Sequence, residues 1–214
     1  MEIRVLERDN LTLYYYGDIT LLNKRVIAVV GKREVDNETL NMSFKVGQCL
    51  AENGFVVLNG LALGCDKRAI EGALSANGKA IAVLPCGIDS IYPSACKEIA
   101  HEIIGKGGLI ISQYPIGTPV DKYRFIERDK TQAILSDKVI SIYCDEKGGT
   151  MHTLKYAHKE GKDIGCVLTS SGNTYAICKL EAKRVTNERD MLSFANNEFY
   201  TQISMFDTDK VLTM

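Results

Sequence analysis

Five apolar residues, Val26-Ile27-Ala28-Val29-Val30, run without interruption into Gly31, Lys32 and Arg33. An apolar run with no polar alternation reads as a strand buried on both faces, the situation of a parallel sheet covered by helices on each side. Glycine lets the backbone turn sharply at the strand's carboxyl end, and a helical pattern follows over 37–53. In open α/β sheets the crevice at the carboxyl ends of the strands is where ligands sit. Lys32 and Arg33 therefore put two positive charges where a phosphate would be welcome. The competing reading makes Gly31 only a turn and leaves both cations facing water.

The rest of the chain repeats this arrangement. Apolar strands are predicted at 26–30, 55–58, 80–84, 109–111, 139–143 and 164–167, with helix-period segments at 37–53, 66–77, 94–105, 126–135 and 151–160. Gly54, Gly78, Gly107 and Gly161 stand at or just past helix ends, where a left-handed cap belongs. Strand–helix alternation predicts a doubly wound, mostly parallel sheet in a three-layer α/β/α, extended Rossmann-like fold with right-handed crossovers. Residues 25–172 form this domain in the predicted organisation. Residues 1–24 read as an irregular N-terminal extension, in which Tyr14-Tyr15-Tyr16 suit packing across a sheet edge or stacking on bases. Residues 173–214 read as a C-terminal helical extension, with helices near 174–183 and 188–195 and no assignment for 199–214. The loop over 112–124 carries Pro115, Gly117 and Pro119 and is long for a strand-to-helix connection, which marks it as a functional candidate.

Charge and cysteine usage narrow the options. The formal net charge is −1, so nucleic-acid binding has to rest on a local patch. Seven cysteines, none in a C-x-x-C pair and most beside apolar runs, read as reduced and buried. The start of the chain lacks a signal-peptide core, and no apolar run approaches the ~20 residues of a membrane span. A cytoplasmic protein without membrane contact is expected, and no metal or cofactor is called for.

Four stretches carry possible chemistry. Beyond Gly31–Arg33, the second strand ends in Asn59-Gly60-Leu61-Ala62-Leu63-Gly64, which opens a helix and offers backbone N–H groups to an anion. Its spacing is not G-x-G-x-x-G, and tight strand–helix packing explains it equally well. Arg124, Arg128 and Lys130 gather near one helix start, with Tyr123 and Phe125 interleaved. Cations and aromatics in that arrangement suit a sugar-phosphate backbone with stacked bases; a solvated face neutralised by Glu127 and Asp129 is the alternative. Lys147-Gly148-Gly149-Thr150 reads as a further N–H cradle, with the Thr150 hydroxyl as a ligand, although it is not a Walker A loop. Cys86 has no histidine placed to activate it and reads as a small buried residue, and His152 reads as a polar contact. All four stretches fall at carboxyl ends of predicted parallel strands, so they converge on one rim.

The ordered series V-V-G-K-R (29–33), N-G-L-A-L-G-C-D (59–66), E-G-A-L (71–74), G-K-A-I-A-V-L-P-C-G-I-D-S-I-Y-P (78–93), S-Q-Y-P-I-G-T-P (112–119), F-I-E-R-D-K (125–130) and K-G-G-T (147–150) resembles the DNA-processing protein A family, also called DprA or Smf. The resemblance implies a Rossmann-like core, homodimerisation, sequence-independent binding of single-stranded DNA and a recombinase as partner, in DNA processing, recombination or uptake. Gly31 and Arg33 fall on the family's G-S-R turn, with Lys32 where serine is usual. Arg128 and Lys130 fall on arginines of its F-P-R-R-N-R run, where Glu127 and Asp129 make the pocket less positive. The chain length is expected to leave no room for a leading helical domain or a trailing winged helix. An alternative comes from the wider fold set: Lys147–Thr150 also looks like part of the P-G-G-x-G-T loop of phosphoribohydrolases. The glutamate those enzymes use shortly afterwards is missing, so a nucleotide sensor is the better form of that alternative and catalysis is not expected.

Overall fold

A computed structural model describes residues 3–198; the 199–214 stretch left unassigned above lies outside the described residues. The apolar run forms strand β3 (Val26–Val30), and all five of its residues are buried. Alternate side chains enter opposite layers, as the pleat requires. Val26, Ala28 and Val30 pack in one apolar cluster, and Ile27 and Val29 pack in another on the opposite face.

Helix α1 (Asn37–Glu52) leads from β3 to β4 (Val56–Asn59), then α2 (Cys65–Ser75) to β5 (Ala80–Leu84) and α3 (Lys97–Gly105) to β6 (Leu109–Ser112). Helix α4 (Lys122–Leu135) then carries the chain to β7 (Lys138–Ser141), which pairs with the other side of β3. Helix α5 (Thr150–Lys159), β8 (Asp163–Cys166), α6 (Ser171–Lys179), β9 (Lys183–Arg184) and α7 (Glu188–Ala195) complete the order. All pairings from β6 through β5, β4, β3, β7 and β8 to β9 are parallel. The result is the three-layer, mostly parallel α/β sheet predicted from the alternation.

The structure departs from the sequence reading at its two edges. Residues 1–24 are not irregular among those described: β1 (Arg4–Arg8) and β2 (Leu11–Gly17) form a hairpin, and β2 pairs antiparallel with β6. The joining residues Asp9 and Asn10 have φ of 51° and 60°. Two successive positive angles make the turn whose twist matches that of paired strands, and Asp and Asn adopt it more readily than most residues. Leu11 and Leu13 are buried by this pairing, and Tyr14, Tyr15 and Tyr16 pack against the sheet edge. At the other edge α6 stops at Lys179 rather than at 183. Glu181 takes a φ of 55°, the chain reverses, and Lys183 and Arg184 pair with β8 as a strand.

Helices α1 and α2 pack with almost no side chain between them. A Cβ placed on Gly47 would lie 1.9 Å from the Ala69 carbonyl oxygen, and one on Gly72 would lie 2.0 Å from that of Phe44. Both clashes are with backbone, so relief requires the helices to separate. Gly47→Ala should therefore destabilise the fold by about 1–3 kcal/mol, despite alanine's better helix propensity; urea unfolding of the two proteins measures it.

Candidate functional site

Strand β3 has β4 on one side and β7 on the other, so the winding of the sheet reverses there. The loops after β3 and β7 diverge at such a point and leave a crevice. A cleft of about 480 Å³ occupies it. The loop after β3 contributes Gly31, Lys32 and Arg33, α5 and its leading loop contribute Gly148, Gly149 and Thr150, and α4 contributes Phe125, Arg128 and Asp129. Most helices here are capped by a side chain, such as α1 by Asp36 and α4 by Asp121. Helix α5 begins at Gly149 without a side-chain cap. Met151 N–H and His152 N–H donate to the Gly148 and Gly149 carbonyls at 3.1 and 2.9 Å, while Gly149 N–H and Thr150 N–H find no acceptor among the described residues and are open to an anion. A Cβ on Gly149 would meet nothing within 4 Å.

Arg128 is the buried cation of the site, with its side chain 6% exposed. Its guanidinium lies against Gly60, where a Cβ would fall 1.1 Å from Nη1. Nε stands 3.1 Å from Asp129 Oδ1, yet neither Nε nor Nη1 makes a hydrogen bond. Burial pushes the Asp66 carboxyl up to about 6, with Arg128 opposing the rise and Asp129 adding to it. Burial likewise raises Asp129 to about 6, against the pull of Arg128 and Arg33. Both carboxyls hold a proton more tightly folded than at the ordinary 3.8. Their contribution to stability is thus fullest below that value and is lost as pH rises through about 6.

The other two cations sit nearer water. Lys32 Nζ pairs with Asp145 Oδ2 at 2.8 Å, both side chains being well exposed. Arg33 makes no ion pair among the described residues, and its guanidinium lies 5.4 Å from the centre of the Phe125 ring. Phe125 also has Arg128 at 5.9 Å and the edge-on ring of Tyr92 at 5.6 Å. The cleft thus combines cations, an aromatic face and the unpaired N–H groups of Gly149 and Thr150, with four carboxyl residues, Glu34, Asp66, Asp129 and Asp145, on its wall.

Of the residues singled out in the sequence, Gly31, Lys32, Arg33, Arg128, Gly148, Gly149 and Thr150 line this cleft. Gly60 touches it through Arg128. The expected N–H donors of the Gly60 loop are already used, and this corrects the sequence reading. Gly60 N–H donates to Asp66 Oδ2 at 3.2 Å and Leu61 N–H to Asn59 Oδ1 at 3.0 Å. Gly64 caps α2 with a φ of 78° and packs on the Arg33 backbone. Arg124 turns away to the Pro119 carbonyl and the Tyr114 ring, while Lys130 and Lys147 do not line the cleft. Helix α4 starts at Lys122, earlier than predicted, because Asp121 accepts from Tyr123 N–H at 2.8 Å. This sets Arg128 inward, and the third-turn Lys130 elsewhere. Asp66 escaped notice as a cleft residue, although its place after a glycine at a helix start was a signal. The seven cysteines are free and all but Cys178 are buried, with Cys65 pushed by burial to about 12.

Removing Arg128 strands two buried carboxyls. Arg128→Ala should cost about 3–5 kcal/mol at neutral pH, with a smaller loss near pH 5, where both acids are mostly protonated. Denaturant titrations at the two pH values test this.

The family model for DNA recombination-mediator protein A matches residues 2–196. The DNA processing protein DprA of Streptococcus pneumoniae is 34% identical over 186 residues, 85% of this chain and 65% of that one. Protein Smf of Synechocystis sp. is 34% identical over 156 residues, 71% of this chain and 39% of that one. The chain therefore spans well under the full length of these curated relatives. A solved structure of DNA processing protein A from Helicobacter pylori, described for its single-stranded DNA binding mode, superposes with a TM-score of 0.83 at 28% identity, covering 93% of this chain and 98% of that one. Sequence series, fold and relatives agree, and the chain belongs to the DNA processing protein A (DprA/Smf) family.

Proposed function

We propose that this protein binds single-stranded DNA through its sugar-phosphate backbone, with the cleft at the β3/β7 switch point as the seat of the strand. The observation that carries the reading is the uncapped start of α5, whose unpaired Gly149 and Thr150 N–H groups line the same cleft as Arg33. Phosphate oxygens accept from the free N–H groups and from Thr150 Oγ1, and Arg33 supplies a charge-assisted contact. Phe125 offers a ring face to a base, a contact that tolerates any sequence. A role in DNA processing follows from the family; a part in recombination or uptake, a recombinase partner and a homodimer belong to the same proposal. The enclosed volume also suits a single nucleotide, so a nucleotide sensor is the competing outcome.

Two measurements test the reading. Mobility-shift titrations of an oligo-dT should show Arg33→Ala flattening the slope of log affinity against log salt by about 0.7, one phosphate's worth. Gly149→Val, which sets a branched side chain at the start of α5 where a Cβ meets no neighbour, should weaken binding at least about tenfold and leave the unfolding temperature in place. Tight binding of a mononucleotide with none of the oligonucleotide would instead establish the sensor.

The acid pair sets the pH dependence. Asp66 and Asp129 repel a bound phosphate only when ionised, so affinity should rise by about tenfold, roughly 1.4 kcal/mol, as pH falls from about 7.5 to about 5.5. Asp129→Asn should raise affinity at the higher pH and flatten most of the profile.

A further inference from the structure

A second concave surface adjoins the cleft on the far side of Arg33. It is a groove of about 590 Å³ between the starts of α1 and α2, lined by Arg33, Asn37, Asn41, Lys67, Arg68 and Glu71 among others. Three cations and one carboxylate line it, and two of the cations share that carboxylate: Lys67 Nζ lies 3.7 Å from Glu71 Oε1, and Arg68 pairs with the other oxygen of the same group. The Arg68 guanidinium is also held 4.9 Å from the centre of the Phe44 ring, so it is already oriented. Asn37 and Asn41 sit one turn apart on α1 and present amides beside these charges.

The two surfaces differ in charge. In the cleft, Lys32, Arg33 and Arg128 face four carboxyl residues, and two of the three cations are already matched with Asp145 and Asp129. In the groove the cations outnumber the carboxylates, and Arg33 belongs to both. Salt-dependent affinity for a polyanion comes from cations that neutralise phosphates and release counterions. A cleft whose cations are internally matched supplies little of that attraction. The groove supplies more, and it is continuous with the cleft. Gly64 has a φ of 78°, and a Cβ there would lie 2.1 Å from the Arg33 carbonyl oxygen, so the backbones of the two surfaces meet without a side chain between them.

We propose that the groove between α1 and α2 is a second phosphate-binding surface, where Arg33, Lys67 and Arg68 take the backbone of a DNA single strand that continues out of the cleft. The inference rests on the reading that the cleft takes single-stranded DNA. It assigns enclosure and backbone donors to the cleft, and most of the electrostatic attraction to the groove.

The test compares a deoxythymidine dinucleotide, confined to the cleft, with an oligo-dT of about 20 nucleotides, longer than the roughly 4–16 covered by typical single-strand-binding folds. Fluorescence anisotropy is read at several KCl concentrations. Lys67→Gln/Arg68→Gln should weaken the long strand by about tenfold or more and flatten its salt slope by about 1.4, two contacts at about 0.7 each, while leaving dinucleotide affinity in place. Glu71→Gln removes the competing carboxylate and should tighten the long strand and steepen its slope, a gain that misfolding cannot mimic. Long-strand affinity and slope unchanged in the double variant, while Gly149→Val still weakens both ligands, would overturn the groove and keep the cleft. Failure of the unaltered protein to bind either ligand would overturn both.

Discussion

One contact ties the two helical layers together over the rim of the sheet. Arg128, carried by α4 on one face, lays its guanidinium on Gly60, in the loop that leads to α2 on the other. Only a glycine admits a guanidinium at that distance. The cation is flanked by Asp66 and Asp129, whose charges it partly balances and whose burial raises their proton affinity. A buried ion cluster of this kind contributes little net stability compared with an apolar packing of the same volume, but it fixes geometry. Here it holds the first turn of α4, and with it Phe125, against the cleft.

The same cluster explains how a protein of net charge −1 can present a cation in the cleft without a basic field. Arg128 is ion-paired with Asp129, and Lys32 with Asp145. What remains open to a ligand is geometric: an uncapped helix start at an exposed glycine and an aromatic ring. Arg33 alone among the three cleft cations forms no ion pair among the described residues, and it stands where the cleft meets the α1–α2 groove. On the reading proposed above, positioning and attraction are therefore divided between adjacent surfaces that share one arginine.

Much of the core architecture was legible from period and punctuation. Strand β3 was found to the residue, because an all-apolar run is what burial on both faces demands. The boundaries of α1, β5 and α7 followed from equally local signals, a capping residue or a turn-forming glycine. The N-terminal hairpin was harder to see. Its outer strand has no buried residue, and its local marker is Asp9-Asn10, a pair less distinctive than Asn-Gly. The C-terminal β9 holds two residues and exists only because β8 offers an open edge.

By itself the sequence determined which chain segments end at the rim, since strand direction and crossover hand leave no other place for Gly31, Gly60, Arg128 and Gly149. It also determined the family, through motifs in a fixed order. What only the tertiary structure decided was the commitment of each group once it arrived there. The N–H groups of Gly60 and Leu61 bond to Asp66 and Asn59, while those of Gly149 and Thr150 at the start of α5 find no acceptor among the described residues. Arg124 faces a loop carbonyl, while Arg128 enters the core. Such choices depend on distances between residues far apart in the chain, and a short-range pattern carries no record of them.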